Sequence, residues 1–295
     1  MTKQVVYTNL PSLEDIISRK SRPPVCLYNL YIVMRDRLEY EELLDFYLDI
    51  KQYEQLWKHF IKDIRKHNKH LEKDIADISY YSLSSSLSSQ NSGADPKRIK
   101  ELIGYCQRIH LRYLELGAPK EVRQLPLKLK LDLCRVLQGK PYVGDPMVFA
   151  DAKAFCLAFM QQHVYPKFIK VKAYENVTLE QKLLRVVLSL LCLLCALTGS
   201  LCFIFLGYPQ WGVRFWIFIP FWLGIHNLLV FLTGVDPIWA LAFNISETTT
   251  FHFNSIIEHQ VKMILRKRSF ISLFIGLFIS FICTIIFCAI PPHTL

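Results

Sequence analysis

Few residues in this chain have the types and spacing that metal binding requires. Cys192 and Cys195 are separated by two residues, and a histidine cluster comprises His59, His67 and His70. Thiolates and imidazoles are the ligands that zinc prefers, which makes both groups candidate metal sites. The histidines have no acidic or thiol partners at ligand spacing, however, and the cysteine pair lies in a long apolar run. We therefore predict no metal and no cofactor, and we interpret the nine cysteines as reduced thiols.

Catalytic motifs are also scarce. The sequence contains neither GxGxxG nor GxxxxGK[ST], and it has no nucleophile elbow. Most carboxylates are mixed with Lys and Arg on the predicted helix faces. We therefore do not expect an enzyme with its own active site. The net charge of +10 could attract nucleic acid, but no recognition-helix motif or aromatic stacking platform accompanies it, so no nucleic-acid partner is predicted.

The second part of the chain is nearly free of charge. Residues 1–185 hold 30 Lys and Arg and 22 Asp and Glu, a net of +8, whereas residues 186–295 hold five basic and three acidic side chains. A helix that crosses a hydrocarbon core of about 30 Å needs about 20 apolar residues. Three stretches meet this requirement: 186–206, 215–232 and 270–290. We predict that they are transmembrane helices in contact with membrane lipids, and that the first two are joined by a turn at Gly207, Tyr208 and Pro209.

Flanking Lys and Arg predict which side faces the cytosol. Basic residues precede the first stretch (Lys167, Lys170, Lys172, Lys182 and Arg185) and separate the second from the third (Lys262, Arg266, Lys267 and Arg268). The opposite side offers Arg214 alone. The N-terminal domain and the 233–269 loop are therefore expected in the cytosol, and the tail 291–295 outside or in the lumen. The sequons at Asn176 and Asn244 should then remain without glycans.

One polar pair, His226 and Asn227, lies inside the second stretch. An ionisable residue in a membrane helix is a candidate functional site, and a transport pathway is one interpretation. So few other polar residues lie in the three stretches that a membrane anchor is favoured. We expect the pair to bond to a partner helix.

Helical spacing of apolar residues dominates the region 12–174, and no strand alternation stands out there. Ser12 followed by Glu14 and Asp15 predicts a helix start. Further helices are predicted from about 41 to 78, 99 to 114, 127 to 137, 148 to 163 and 165 to 174. The serine-rich segment 79–96 is interpreted as a flexible insertion. The expected fold class is all-α, with a soluble helical domain followed by three membrane helices.

The long helix from residue 41 also has a basic face (Lys58, Lys62, Arg65, Lys66, Lys69 and Lys73). It could be attracted to an anionic leaflet or could simply be solvated. Asp63, Glu72 and Asp74 dilute the charge, which favours the solvated face.

Three segments, in this order, resemble the RGS (regulator of G protein signalling) domain, a fold of about nine helices. Residues 41–47 (EELLDFY) are similar to the acidic and aromatic start of its fourth helix, and residues 109–122 (IHLRYLELGAPKEV) resemble the stretch into its Ala-Pro-x-Glu-Val turn. Residues 165–168 (YPKF), after the 152–160 helix, resemble its Tyr-Pro-Arg-Phe motif. The resemblance places Phe46, Leu114 and Phe168 in the core. It implies binding to the switch segments of a Gα subunit, through Glu41, Glu42, Leu43, Ala118, Pro119, Glu121, Val122, Arg123, His163 and Lys167.

The chain departs from the family pattern at three of these positions. Asparagines that follow the acidic pair and the Glu-Val pair are replaced by Leu43 and Arg123, and an aspartate shortly before Tyr-Pro is replaced, with His163 nearby. RGS domains accelerate GTP hydrolysis by steadying the transition-state arrangement. Leucine can neither donate nor accept a hydrogen bond, and arginine offers only donors. We therefore expect an RGS-like domain without ordinary GTPase-activating activity.

An RGS-type domain followed closely by three membrane helices further resembles fungal membrane proteins of bud-site selection and cell polarity. The segment 19–28 (RKSRPPVCLY) is part of this likeness. It implies a membrane-anchored adaptor or landmark that acts with a partner membrane protein, in the plasma membrane at sites of polarised growth or in endomembranes. A membrane-tethered GTPase activator of Gα is the alternative.

Overall fold

The computed structural model describes residues 10–67, 96–138, 145–208 and 210–291. The chain divides into two compact units. We call residues 34–164 the head unit; residues 10–33 together with 165–291 form the span unit.

Eleven helices and two strands follow one another in the described residues. The helices are α1 (Leu13–Ile17), α2 (Leu27–Val33), α3 (Glu41–His67), α4 (Pro96–Ile109), α5 (Leu127–Gln138), α6 (Ala150–Phe159), α7 (Tyr165–Ala173), α8 (Leu179–Phe205), α9 (Trp211–Arg214), α10 (Phe218–Thr233) and α11 (His259–Ala289). The strands are β1 (Ile245–Thr249) and β2 (His252–Ser255). π-Helical turns lie at Met34–Leu38, His110–Leu114, Met160–Val164 and Trp239–Phe243, and 3₁₀ turns at Pro146–Phe149 and Phe215–Ile217.

The predicted helix start at Ser12 is confirmed as a reciprocal cap. The Asp15 backbone N–H donates to the Ser12 hydroxyl at 3.1 Å, and the Ser12 backbone N–H donates to the Asp15 carboxylate at 3.3 Å. These bonds satisfy two backbone donors that a helix N-terminus otherwise leaves unpaired. The Ser12 hydroxyl also donates to the Asp15 carboxylate, which lowers the pKa of that carboxyl.

The head unit is built around one face of α3. Its apolar side chains are buried as the helical spacing predicts: Leu43, Leu44, Phe46, Tyr47, Ile50, Tyr53, Trp57 and Phe60. Tyr53 stacks on Tyr105 of α4 with ring centroids 5.8 Å apart, and it meets Phe149 edge-on at 6.2 Å. Burial raises the pKa of the Cys106 thiol to about 11 and that of Cys156 to about 12, so both thiols stay protonated at neutral pH.

Three segments of the span unit are long and apolar enough to cross a membrane: Leu179–Phe205, Trp211–Thr233 and His259–Ala289. The second packs against both the first and the third and is the most buried of the three. The predicted stretch 215–232 lies within its segment, and the stretches 186–206 and 270–290 each extend one residue beyond theirs. The all-α fold class is confirmed. The predicted limits of the helical domain and of the membrane spans stay predictions.

Small residues allow the three long helices to approach closely. Gly224 of α10 lies against Leu193 of α8, where a Cβ atom would come within 2.7 Å of the leucine Cγ. The Ser189 hydroxyl donates to the Gly224 carbonyl at 2.7 Å. On α11 a buried small residue recurs at every fourth position: Ser272, Gly276, Ser280, Thr284 and Cys288. Close packing over small residues is how membrane helices associate where no hydrophobic driving force acts between them.

Pro220 and Arg214 each stabilise the structure near the start of the second long helix. Pro220 lies in the first turn of α10, directly after the 3₁₀ turn, where a missing backbone donor does little harm. Arg214 is buried, and its guanidinium donates to the Ile290 carbonyl at 2.6 Å and to the Tyr208 carbonyl at 2.7 Å. Arg214 thus ties the turn between the first two long helices to the end of α11.

The 233–269 stretch, predicted as a loop, contains a β-hairpin. β1 and β2 are antiparallel, with Ile245 opposite Ser255 and Glu247 opposite Phe253. The sequence of β1, Ile-Ser-Glu-Thr-Thr, lacks the alternation of a half-buried strand, so sequence pattern alone did not indicate it. Contacts distant in sequence hold it in place, among them the hydrogen bond from the Lys172 ammonium to the Glu247 carbonyl.

Several sequence predictions lie outside the described residues. They are the end of the long helix beyond His67, with Leu71, Ile75 and Ile78, the serine-rich insertion up to residue 95, and the tail from residue 292.

Candidate protein-binding surface

The first predicted binding segment begins α3. Glu41 and Glu42 lie in its first turn and are partly exposed. Leu43, in contrast, has no exposed surface. Its side chain therefore supports this surface from the interior and cannot itself touch a partner.

The second segment is a tight loop at residues 117–123. Gly117 has φ of +80°, a left-handed conformation that favours glycine. The Glu121 carboxylate accepts the Gly117 backbone N–H at 2.9 Å and a hydrogen bond from the Lys130 ammonium. These two bonds, the lysine first, lower the pKa of Glu121. The loop is therefore organised around a carboxylate that stays ionised at neutral pH.

The other residues of this loop divide between interior and solvent. Val122 has no exposed surface, and its backbone N–H donates to the Tyr113 carbonyl at 3.0 Å. Pro119 and Arg123 are exposed, and Ala118 is partly exposed. The loop thus offers Ala118, Pro119 and Arg123 to a partner.

A latch joins this loop to α3. Lys120 forms an ion pair with Asp45, and the Tyr113 hydroxyl donates to Asp49 at 2.7 Å. The Tyr113 ring also packs against Phe46 at 5.5 Å between centroids. Burial raises the pKa of Tyr113, so its hydroxyl remains a donor. The first two predicted segments therefore form one surface, and Lys120 and Asp45 are the residues that sequence reasoning missed.

Aromatic contacts connect His163 to the same surface. The His163 ring stacks on Phe159 with centroids 4.5 Å apart, and Phe159 meets Tyr40 edge-on at 5.5 Å. Tyr40 directly precedes α3, so His163 is linked to the start of that helix. Lys167 is exposed on α7, which belongs to the span unit.

We call Glu41, Glu42, Ala118, Pro119, Arg123 and His163 the α3 surface. It combines carboxylates, a guanidinium and an imidazole over a packed core. No nucleophile is hydrogen-bonded to a base within it. Such a mixed, partly apolar patch on rigid elements is suited to protein recognition, where complementary charge selects the partner.

The polar pair His226 and Asn227 is buried within the span unit. The Asn227 amide donates to the Leu223 carbonyl at 2.7 Å, and its oxygen accepts from Arg185 of α8 at 3.2 Å. The sequence expectation places this pair against a partner helix, whereas both ends of the Asn227 side chain bond within the chain itself. His226 lies against Trp222, and its Nε2 atom has no hydrogen-bond partner in the described part of the chain.

A buried polar cluster that the sequence did not indicate lies where the long helices meet the hairpin. We call Lys172, Asn176, Arg185, Asp236 and Glu247 the junction network. Asp236 is an ion-pair partner of Arg185, and its other oxygen accepts the Ile238 backbone N–H at 2.9 Å. The Asn176 amide donates to the Asp236 carbonyl at 3.1 Å and accepts the Asp236 N–H at 2.7 Å.

Glu247 and Lys172 complete the junction network. The Glu247 carboxylate accepts the backbone N–H groups of Thr178 and Phe251, each at 2.8 Å. The Lys172 ammonium donates to the carbonyls of Glu247 at 2.9 Å and Thr248 at 3.2 Å. These bonds fix irregular backbone that would otherwise leave buried polar groups unpaired. The sequence pattern at Asn176 is a glycosylation sequon, and it gave no indication that this side chain is part of a buried hydrogen-bond network.

Comparison with known proteins agrees with the resemblance of the sequence to the RGS domain. A family model for the "Regulator of G protein signaling domain" matches residues 25–177, about half of the chain. The chain is also 23% identical over 340 residues to Protein rax1 of Schizosaccharomyces pombe, an alignment that covers 95% of this chain and 98% of the relative. No solved structure matches the chain.

Proposed function

Since this chain belongs to the RGS domain family, we propose that it is a membrane-anchored RGS adaptor that marks sites of polarised growth and recruits partners through the α3 surface. Its likeness to Protein rax1 extends over nearly the whole of both chains and so is not confined to the RGS domain.

The proposed anchor is the set of three apolar segments. Each exceeds the length that a hydrocarbon core requires, and basic residues cluster at the ends that join the helical domain and the hairpin. We infer a multi-pass protein whose N-terminal domain faces the cytosol. The plasma membrane at sites of polarised growth, such as cell tips, is the proposed location, and endomembranes are the alternative.

The observation that carries the adaptor proposal is that Leu43 is an apolar side chain and fully buried. At the position where the family resemblance places a hydrogen-bonding asparagine, this chain has an apolar side chain with no exposed surface. Leu43 can therefore supply no positioning contact to a GTPase. At the second such position, the exposed Arg123 offers donors but no acceptor. Loss of positioning contacts of this kind costs about 3–4 kcal/mol of transition-state stabilisation each.

The partners that we propose are a membrane protein that acts in polarity marking and, in the alternative, a Gα subunit. The α3 surface is folded and charged although Leu43 and Arg123 replace the two asparagines of the family pattern. A surface that binds without steadying a transition state acts by recruitment.

Single-turnover GTP hydrolysis separates the two functions. The full chain in lipid nanodiscs is added to GTP-loaded Gα, and an RGS domain that has both asparagines serves as the positive control. We expect the hydrolysis rate to stay within about twofold of the intrinsic rate, because the positioning contacts are absent. An acceleration of a hundredfold or more would establish the GTPase activator instead.

A matched pair of variants tests recruitment at the α3 surface. Glu41→Lys combined with Arg123→Glu reverses exposed charge without touching the core, whereas Lys128→Glu changes an exposed residue of α5 outside the surface. Proximity labelling in growing cells should lose the same partners with the first variant and keep them with the second. If both variants keep every partner, the α3 surface is not the recruiting site.

A further inference from the structure

The hairpin of the span unit and the residue before it expose three aromatic rings. Phe251 is 65% exposed and Phe253 41% exposed, and Phe243 just before β1 is 64% exposed. His252 and Ser255 of β2 are exposed beside them, whereas Ser246, Glu247 and Thr248 of β1 are buried. A hairpin that faces water normally buries its apolar side and solvates its polar side. Apolar residues that face outward, as on membrane barrels, indicate an apolar medium.

Two contacts fix the level of this hairpin along the long helices. Its turn lies beside the start of α8, because the Thr250 hydroxyl donates to the Glu180 carboxylate. Its beginning lies beside α11, because Arg266 donates to the Asn244 side chain at 3.3 Å. Both contacts place it at the same end of the three helices.

At that end of the helices, the charged part of the sequence meets the apolar part. Arg268 is the last charged residue of α11, and Phe270 follows it on the chargeless side. From Arg266 to Phe270 the helix rises about 6 Å. The exposed phenylalanines therefore lie within one or two helical turns of the level where a hydrocarbon core would begin. Aromatic residues are enriched at this boundary.

The surroundings of the hairpin favour lipid headgroups as its neighbour. Arg266 and Lys267 are exposed at the same level, where they can attract anionic lipid. Trp239 holds Phe253 edge-on at 4.8 Å and lies 5.0 Å from the Arg185 guanidinium carbon. The Phe253 ring is thus held in place by Trp239. The exposed phenylalanines form an apolar surface with Arg266 and Lys267 at the same level.

We propose that Phe243, Phe251 and Phe253 form a lipid-contacting foot that inserts into the headgroup and upper acyl region of the leaflet beside the hairpin. This inference rests on the proposed membrane anchorage, since only a bilayer around the three long helices brings lipid to this level. The foot would fix the depth of the junction network relative to the membrane surface.

Two photoreactive phospholipids test the foot on the full chain in nanodiscs, with adducts mapped by mass spectrometry. One lipid carries a diazirine near the glycerol, and the other carries it at the end of the acyl chain. We expect the shallow probe to label the 243–253 segment. The deep probe should label Phe278, which is 57% exposed near the middle of the charge-free part of α11.

A variant provides the matched control. Phe243→Ser with Phe251→Ser removes the two most exposed aromatic rings of the foot while Phe253 stays packed on Trp239. We expect loss of shallow adducts in the hairpin with unchanged adducts at Phe278 and an unchanged circular dichroism spectrum.

The outcomes separate this inference from the proposed function. Deep labelling at Phe278 without shallow labelling of the wild-type hairpin would overturn the foot and leave the anchor intact, and the aromatic side would then belong to a protein partner. Deep labelling of the hairpin itself would also overturn it. Absence of adducts at Phe278 would overturn the membrane anchor.

Discussion

Two ion pairs of the head unit and one of the span unit differ in how far water reaches them. In the head unit, Lys120 and Asp45 are 30% and 20% exposed, and Arg98 and Asp63 are 56% and 43% exposed. In the span unit, the Asp236 side chain is 1% exposed and its partner Arg185 17% exposed. Ion pairs that water can reach contribute little to stability, whereas breaking a buried pair leaves a charge without compensation.

This difference shows what each pair contributes. The Lys120–Asp45 pair holds a recognition loop in place from outside, where it can be released at small cost. The Arg185–Asp236 pair, together with Asn176 and Glu247, holds the irregular backbone between long helices. The same residue types therefore hold a surface loop in the first pair and buried backbone in the second.

The strongest way to break this comparison is Asp236→Ala. It leaves the Arg185 guanidinium without its carboxylate and removes the acceptor of the Ile238 backbone N–H. We expect the free energy of unfolding to fall by about 3–5 kcal/mol. Thermal unfolding of the full chain in nanodiscs measures the change. Asp63→Ala, which breaks an exposed pair, is the control and should cost less than about 0.5 kcal/mol. Equal losses in the two variants would contradict the distinction between the exposed and the buried pair.

Gly234→Ala tests the backbone that the junction network supports. Gly234 has φ of +69°, and a Cβ there would come within 2.7 Å of the Lys182 Nζ and 2.8 Å of the Glu175 side chain. These two side chains form an ion pair, so the variant both strains the backbone and displaces the pair. We expect a loss of about 1–3 kcal/mol, measured by thermal unfolding.

Gly104→Ala is the matched control for this variant. Gly104 lies within α4, and apart from the neighbouring helix backbone no atom lies within 4 Å of the added carbon. Alanine is the better helix former, so this change should stabilise the chain by up to about 1 kcal/mol. An equal loss of stability at Gly104 would show that an added methyl group alone destabilises the chain, without backbone strain or a displaced ion pair.

Lys120→Ala tests the latch of the α3 surface. The pair with Asp45 is partly solvated, so we expect a local loss of about 0.5–1 kcal/mol, seen as a two- to fivefold faster hydrogen exchange in the 117–123 loop. Lys128→Ala removes an exposed lysine of α5 and should leave the exchange rate unchanged. Unchanged exchange in both variants would show that the loop does not depend on the latch.

The smallest expected effect is a pH dependence at Glu121. Its pKa is lowered from the ordinary value of 4.5, first by the Lys130 hydrogen bond and then by the Gly117 N–H. A carboxyl with a lowered folded-state pKa stabilises the fold above its unfolded pKa and loses that effect as the pH falls through the folded value. The unfolding midpoint of Glu121→Gln should therefore lie below that of the wild type at pH 7, and the gap should shrink below pH 4.5. A gap that is constant across this range would contradict the assignment.

Local and strongly patterned features could be predicted from the sequence. The Ser12 cap, the buried face of α3 and the three long apolar helices each follow from spacing within one segment. The RGS resemblance is confirmed as well, because its motifs are short runs such as EELLDFY and YPKF that can be read without knowledge of the contacts between them.

Features that depend on distant contacts could not be predicted. Lys120 and Asp45 are 75 residues apart, and nothing in the pattern around either residue indicates the other. The Ile-Ser-Glu-Thr-Thr strand pairs with β2, and its glutamate accepts the backbone N–H of Thr178, 69 residues away. The candidate binding residues that the resemblance chose lie in segments of α3 and its loop, but the resemblance could not show that Leu43 and Val122 are interior.

The burial of Asn176 has a consequence for its glycosylation. Asn176 begins the sequon Asn-Val-Thr, yet its amide is bonded to the Asp236 backbone in the folded chain and has almost no exposed surface. A glycan on this amide would occupy the space that the Asp236 contact needs. A copy glycosylated at Asn176 therefore cannot form the junction network, and a folded copy carries an unmodified Asn176.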